Sequence, residues 1–69
     1  MKHGIYLKEV GQKIKTIRMR KKISLLKLSA ICGTCACNLS HIENARKNPR
    51  LLTLKGIADA LEVDVKDLL

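Results

Sequence analysis

Apolar residues recur at helical spacing along most of the chain and are separated by short polar turns. In the first third they fall three and four residues apart, which predicts an amphipathic helix from about residue 7 to residue 21. The apolar positions of this helix are Leu7, Val10, Ile14 and Ile17. Residues 1–6 precede it and are predicted to form a short arm, to which no role is assigned.

The stretch 24–44, SLLKLSAICGTCACNLSHIEN, predicts two short helices joined by a tight turn. Gly33 interrupts an apolar face that Leu39 and Ile42 resume. Glycine takes a left-handed conformation at such a turn without steric cost, and Ser24 is a suitable N-cap for the first helix. The pattern is typical of a helix-turn-helix motif. The apolar face of the first helix is predicted to contain Leu25, Leu28, Ala30, Ile31 and Cys32.

After this motif the chain predicts a basic loop, ARKNP at residues 45–49, and then two more helices. The first of these runs from about residue 51 or 52 to residue 61, with its inward face made of Leu54, Ile57, Ala58 and Leu61. The last, residues 65–69, follows Asp64, and Asp67 is placed to complete a capping box. Five helices in 69 residues leave no length for a sheet, so the predicted fold is one all-α, five-helix domain.

Charge indicates the class of partner. The net charge is +8 and the isoelectric point is near 9.8, which favours a polyanion. Residues 1–22 carry eight Lys or Arg against one acid and residues 23–50 carry four against one, whereas residues 51–69 carry two against four. The basic part of the chain therefore contains the helix-turn-helix motif. Tyr6 is the only aromatic residue, and single-strand binders stack bases on aromatic rings, so duplex DNA is favoured.

Several other classes of protein are disfavoured. No apolar run approaches the roughly 20 residues of a membrane span, and residues 1–6 lack the apolar core of a signal peptide, which predicts a cytoplasmic protein without a membrane partner. No acid pair, nucleophile with a base, or phosphate-binding loop is present, so an enzyme is not expected and no cofactor is predicted.

The second helix of the motif has an outward face of short or polar side chains, made of Ala36, Cys37, Asn38 and His41. This composition suits a face that approaches base edges in a major groove. Arg46 and Lys47 follow the helix and are predicted to contact phosphate.

A structural ion pair is predicted between Arg18 and Glu43. Arg18 lies at the edge of the first helix's apolar stripe, where a guanidinium group needs a carboxylate partner. Glu43 is the only acidic residue between Glu9 and Asp59.

Several segments at fixed spacing resemble the phage-repressor and Cro type of helix-turn-helix protein, an Xre-like family, over residues 10–69. They are GQKIKTIRMRKKIS, the framework Leu28, Gly33, Leu39, Ile42 and Glu43, the ARKNP loop, and LLTLKGIADALEVDVKDLL. The resemblance implies a five-helix, lambda-repressor-like domain that binds duplex DNA, usually as a homodimer, and regulates transcription. Within the family the chain looks most similar to restriction-modification controller proteins and to compact prophage repressors.

The resemblance also implies roles for individual residues. It implies the Arg18 and Glu43 ion pair, base contacts from the four outward residues of the third helix, and a phosphate contact from Asn44. Four positions depart from the family's usual residues. Leu25 replaces a phosphate-binding Gln, Cys35 and Arg50 replace helix-capping Ser or Thr, and Ala45 replaces a Gly that often follows the third helix.

Two alternatives remain open beside DNA binding. Cys32, Cys35, Cys37 and His41 form a C-x2-C-x-C-x3-H spacing that could hold zinc or a redox centre, although separate reduced thiols are preferred. Leu51, Leu52 and Leu69 exceed what the core needs and predict a dimer interface. The alternative use of these leucines is to hold a partner protein, as in an antitoxin that also regulates its own promoter.

Overall fold

A computed structural model of the chain describes the backbone of residues 3–69 and the side chains of residues 7–69. Within that range the fold is entirely helical, with no strand, which confirms the predicted all-α class. The elements are α1 (His3–Arg20), α2 (Leu25–Cys32), α3 (Ala36–Glu43), α4 (Leu51–Ala60) and a 3-10 turn (Val65–Asp67).

The count of five α-helices is not confirmed, because the last element is a 3-10 turn. Its hydrogen bonds span three residues, from the Asp67 amide to the Asp64 carbonyl and from the Leu68 amide to the Val65 carbonyl, each at 2.9 Å. A segment this short closes tighter i to i+3 bonds more readily than a full α-helical turn. The Asp64 amide donates to Asp67 Oδ2 at 3.2 Å, as the predicted capping box requires.

The predicted arm over residues 1–6 is wrong for residues 3–6, because α1 already begins at His3. Residues 1–2 lie outside the described part of the chain. The periodic apolar pattern begins only at Leu7, but extending an existing helix by one residue adds one hydrogen bond without a new nucleus. A helix can therefore start before its buried stripe does.

The core lies where the helices cross. α1 packs on α3, α2 packs on α3 and α4, and the 3-10 turn packs on α4. The four residues predicted to face inward from α4 are all buried, as predicted. Ala30 and Ile31 are exceptions on α2. Both are exposed, Ile31 to 53%, although the pattern placed them on the apolar face. The buried core is Val10, Ile14, Leu28, Leu39, Ile42, Leu54, Ile57, Ala58, Leu61 and Leu68.

Three of the four helices end in a left-handed residue that is not glycine. Lys22, Ala45 and Glu62 follow α1, α3 and α4 with φ of 57°, 60° and 59°. After α3, the Arg46 amide donates to the His41 carbonyl at 2.8 Å, a bond between residues five apart that is typical of the Schellman motif. A side chain in this conformation has its Cβ close to the following carbonyl, so each of these ends carries strain.

Ala45→Gly is expected to raise the free energy of unfolding by about 0.5–1 kcal/mol, because relief of the left-handed strain exceeds the entropy that glycine loses on folding. Urea denaturation of the two proteins measures the change. Gly33→Ala is the matched reverse variant, since Gly33 has φ of 77° and open space around an added Cβ. It is expected to lose stability through strain alone. A lower unfolding free energy for Ala45→Gly would contradict this account.

Candidate nucleic-acid interface

The turn between α2 and α3 has the geometry of a helix-turn-helix motif. The Lys27 amide donates to Ser24 Oγ at 3.1 Å, so Ser24 caps α2 as predicted. At the other end Gly33 is left-handed, and its amide donates to the Ser29 carbonyl at 2.9 Å. The chain direction bends by 113° from α2 to α3, within the range of about 90–120° typical of this motif.

The length and apolar composition of the helices indicate whether any of them could cross a membrane. Among the described residues no single helix is long and apolar enough to cross a membrane. Together α2 and α3 have the length and apolar composition of a membrane span, but a bend of 113° divides them.

The outward face of α3 is partly as predicted. Cys37 and His41 are exposed and lie one helical turn apart, so they point to the same side of α3. Ala36 and Asn38 are half-buried. On the opposite side Leu39 and Ile42 fasten α3 to the core. The structure therefore exposes two of the four predicted base-contacting side chains to solvent and leaves the other two half-buried.

Asn38 lies at a polar cleft between α3, the loop that follows it, and the start of α4. The cleft has a volume of about 280 Å³. Besides Asn38 and Ile42 it is lined by Lys47, Asn48, Pro49, Arg50 and Thr53. Asn38 is thus placed between the exposed face of α3 and a cationic site, which its sequence position alone did not indicate.

Arg50 is a candidate functional residue that sequence reasoning missed. It occupies the N-cap position of α4 with an extended backbone, and its side chain makes no capping hydrogen bond. The first amide groups of α4 therefore have no side-chain acceptor from the cap, and the positive end of the helix dipole faces the cleft beside two cationic side chains. Such a site suits a phosphate group. The signal was present in the sequence only as an unsuitable cap.

The Asn44 side chain already donates hydrogen bonds within the protein, at the end of α3. Its Nδ2 donates to the Ser40 carbonyl at 2.8 Å and approaches Ser40 Oγ at 3.4 Å. Because the amide nitrogen is the group that would donate to a phosphate, a phosphate contact competes with this helix-ending bond. Arg46 and Lys47, the other two predicted phosphate ligands, are exposed and carry their charge beyond α3.

Arg18 and Glu43 lie in direct contact. Arg18 Nε donates to Glu43 Oε2 at 2.7 Å and Nη2 donates to Oε1 at 3.2 Å. Arg18 Nη1 donates to the Ile23 carbonyl at 2.8 Å. The side chains are 12% and 5% exposed, respectively. One guanidinium group therefore connects α1, the link to α2, and the last residue of α3, and helps to orient the face that α3 presents.

The cysteines are separate free thiols in this fold. Cys32 is half-buried, whereas Cys35 and Cys37 are exposed. Within the described part of the chain, no three His, Cys, Asp or Glu side chains are arranged to hold a metal ion. The four-residue Cys and His spacing is therefore not assembled into a zinc site, because the turn at Gly33 separates Cys32 from the exposed face of α3.

A capped α2, a left-handed glycine turn and an α3 with one exposed face together define a DNA-binding helix-turn-helix domain. The helix-turn-helix family HTH_3 matches residues 14–68, and the chain belongs to this family.

Two relatives have names that describe repression. The immunity repressor protein of Bacillus phage phi105 is 39% identical over 56 residues, which make up 81% of this chain and 39% of that protein. The HTH-type transcriptional repressor RghR of Bacillus subtilis (strain 168) is 27% identical over 64 residues, 91% of this chain and 47% of that protein. The chain thus spans less than half the length of either relative.

A solved structure shows the same fold. The restriction-modification controller protein C.AhdI from Aeromonas hydrophila has a TM-score of 0.89 and 24% sequence identity, over 91% of this chain and 96% of that one. At this identity the likeness shows the fold alone.

Proposed function

We propose that this chain is a cytoplasmic, sequence-specific regulator of transcription that inserts α3 into the major groove of duplex DNA. The observation that carries the proposal is the exposed face of α3, which is held on a helix-turn-helix scaffold and bordered by cationic side chains at the polar cleft. Base edges are reached through the groove while phosphates lie on either side of it, and the α3 face and the cleft offer contacts to both. Family membership supports a regulator rather than an enzyme.

The proposed roles divide between reading bases and binding phosphates. Base contacts are assigned to Ala36, Cys37, Asn38 and His41. Phosphate contacts are assigned to Arg46, Lys47 and Asn44, with Arg50 added from its place in the cleft. Asn38 lines the cleft and also lies at the edge of the outward face of α3. It is therefore expected to contact a base close to the phosphates that border the groove.

The proposed assembly is a homodimer. Leu51, Leu52 and Leu69 are 69%, 82% and 47% exposed, which is unusual for leucine and favours burial against a partner. A second copy would place two α3 helices on one face of DNA, and the proposal therefore predicts a two-fold symmetric operator. The alternative occupant is a different protein, as in an antitoxin.

Selection of bound sequences from a random duplex library tests the function and the assembly together. The proposal expects enrichment of two related half-sites in inverted orientation, about 34–36 Å apart from centre to centre. Recovery of a single asymmetric half-site would favour a monomer or a protein partner at the leucines. Recovery of no sequence, with equal binding to single strands, would overturn the proposed function.

Lys47→Ala and His41→Ala are expected to differ in their effects on DNA affinity. His41 is exposed on α3, so its loss should weaken binding to the selected operator about tenfold. Its loss should change the affinity for a scrambled duplex only slightly. Lys47 lies beside a proposed phosphate site, so its loss should weaken both alike and lower the slope of log affinity against log salt by about one. Titrations on both duplexes at several salt concentrations measure this. If His41→Ala lost the same affinity for both duplexes, His41 would not contact bases.

A further inference from the structure

α3, the helix proposed to contact the bases, lacks the side chains that most often recognise guanine. All eight residues of α3 are described, and their sequence, ACNLSHIE, contains neither Lys nor Arg. Bidentate contact from Arg or Lys to guanine O6 and N7 is the commonest base-specific contact in the major groove. The cationic side chains at the polar cleft, Lys47 and Arg50, lie outside α3 and are assigned to phosphate in the proposed function. Base recognition by α3 must therefore depend on other chemistry.

Cys37 has the position and the chemistry for such a contact. It is the second residue of α3, and the N-terminal residues of a recognition helix are those that contact base edges. Its thiol is free and exposed. A free cysteine side chain behaves as a small apolar group with a weak donor. The one apolar group that the four bases present in the major groove is the C5-methyl of thymine.

We propose that Cys37 determines specificity by packing its thiol against a thymine methyl group, so that each half-site carries an A·T pair beneath the first turn of α3. This inference rests on the proposed DNA-binding function. Ala36 precedes Cys37 and adds a second small apolar side chain at the edge of the same turn. Cys37 itself stands clear of the core, so its thiol reaches a base without loss of packing in the domain.

Replacement of individual thymines by uracil in the selected operator tests the proposal, because uracil keeps every hydrogen-bonding group of thymine and lacks only the methyl. For one thymine in a half-site, replacement by uracil is expected to weaken binding of the unaltered protein about fourfold. This is the change in affinity expected from the burial of one methyl group. Cys37→Ser replaces the apolar thiol with a hydroxyl of similar size. This variant is expected to bind the thymine and uracil duplexes with nearly equal affinity.

Cys35→Ser is the matched control. Cys35 is also an exposed free thiol, but it is the N-cap residue of α3 and its side chain makes no capping hydrogen bond. The Cys35→Ser protein is expected to keep the full preference for thymine. Circular dichroism melts check that both serine variants are folded.

The outcomes separate this inference from the proposed function. Tight, salt-sensitive binding to the duplex with no effect of uracil at any position would overturn the role of Cys37 and leave the DNA-binding function intact. The role would also be overturned if Cys37→Ser retained a fourfold preference for thymine. Failure to bind duplex DNA at all would instead remove the function on which the inference rests.

Discussion

Glu43→Ala is expected to lower the free energy of unfolding by about 3 kcal/mol, because it leaves the Arg18 guanidinium group buried without its carboxylate partner. Both side chains are nearly covered, and Glu43 accepts two hydrogen bonds from Arg18. An ion pair in full solvent would be worth no more than about 1 kcal/mol. The expected loss of stability is large because the unpaired guanidinium group would stay largely buried. Replacement of both side chains by apolar residues of similar size would cost much less, since no charge would then be left without a partner.

Urea denaturation of Glu43→Ala, Arg18→Ala and the double variant measures the coupling between the two side chains. The double variant is expected to lose less than the sum of the single losses, since removal of either partner already leaves the other unpaired. Lys13→Ala is the control. Lys13 Nζ donates to the Leu69 carbonyl at 2.8 Å in an exposed position, so its loss should cost less than about 0.5 kcal/mol. Strictly additive losses at residues 18 and 43 would contradict the structural role.

Local chemistry accounts for the parts of the fold that were predictable from sequence. Ser24 and Gly33 have side-chain or backbone properties that specify a helix start and a left-handed turn whatever surrounds them. Arg18 and Glu43 could be paired because the chain offers no other acid over a long stretch. The apolar period likewise located the inward face of α4.

Features that depend on how helices meet were not predictable in the same way. Ile31 fits the apolar period of α2 yet lies in solvent, since the period does not say how wide the covered stripe is. Arg50 and Asn38 come together only because the loop after α3 folds back beside it. Asn38 therefore sits partly in a cleft, although its spacing from His41 placed both on one helical face.

Gly11 is a further case, because a glycine inside a helical pattern indicates by itself only a residue that weakens the helix. In the structure it is buried, and a Cβ built on it would lie 2.6 Å from the carbonyl oxygens of Ile42 and Glu43. α1 and the end of α3 thus approach each other through the space that a side chain would fill. The same end of α3 carries the Glu43 carboxylate that binds Arg18.

Gly11→Ala is expected to lower the free energy of unfolding by about 2 kcal/mol, as an overpacking cost of about 3 kcal/mol exceeds a gain of about 1 kcal/mol in helix propensity. The cost is at the upper end of the usual range because the obstructing atoms are backbone and cannot rotate away. α1 must move away from α3, which also strains the contact between Arg18 and Glu43.

Gly56→Ala is the matched control for this substitution. Gly56 lies within α4, and a Cβ there would meet the Cys32 carbonyl at 3.9 Å, an ordinary contact. This variant is expected to gain up to about 1 kcal/mol from helix propensity alone. Denaturation of the two variants side by side should therefore separate them by about 3 kcal/mol in opposite directions from the unaltered protein. If both alanines stabilised the fold equally, the close approach of α1 to the end of α3 would be wrong.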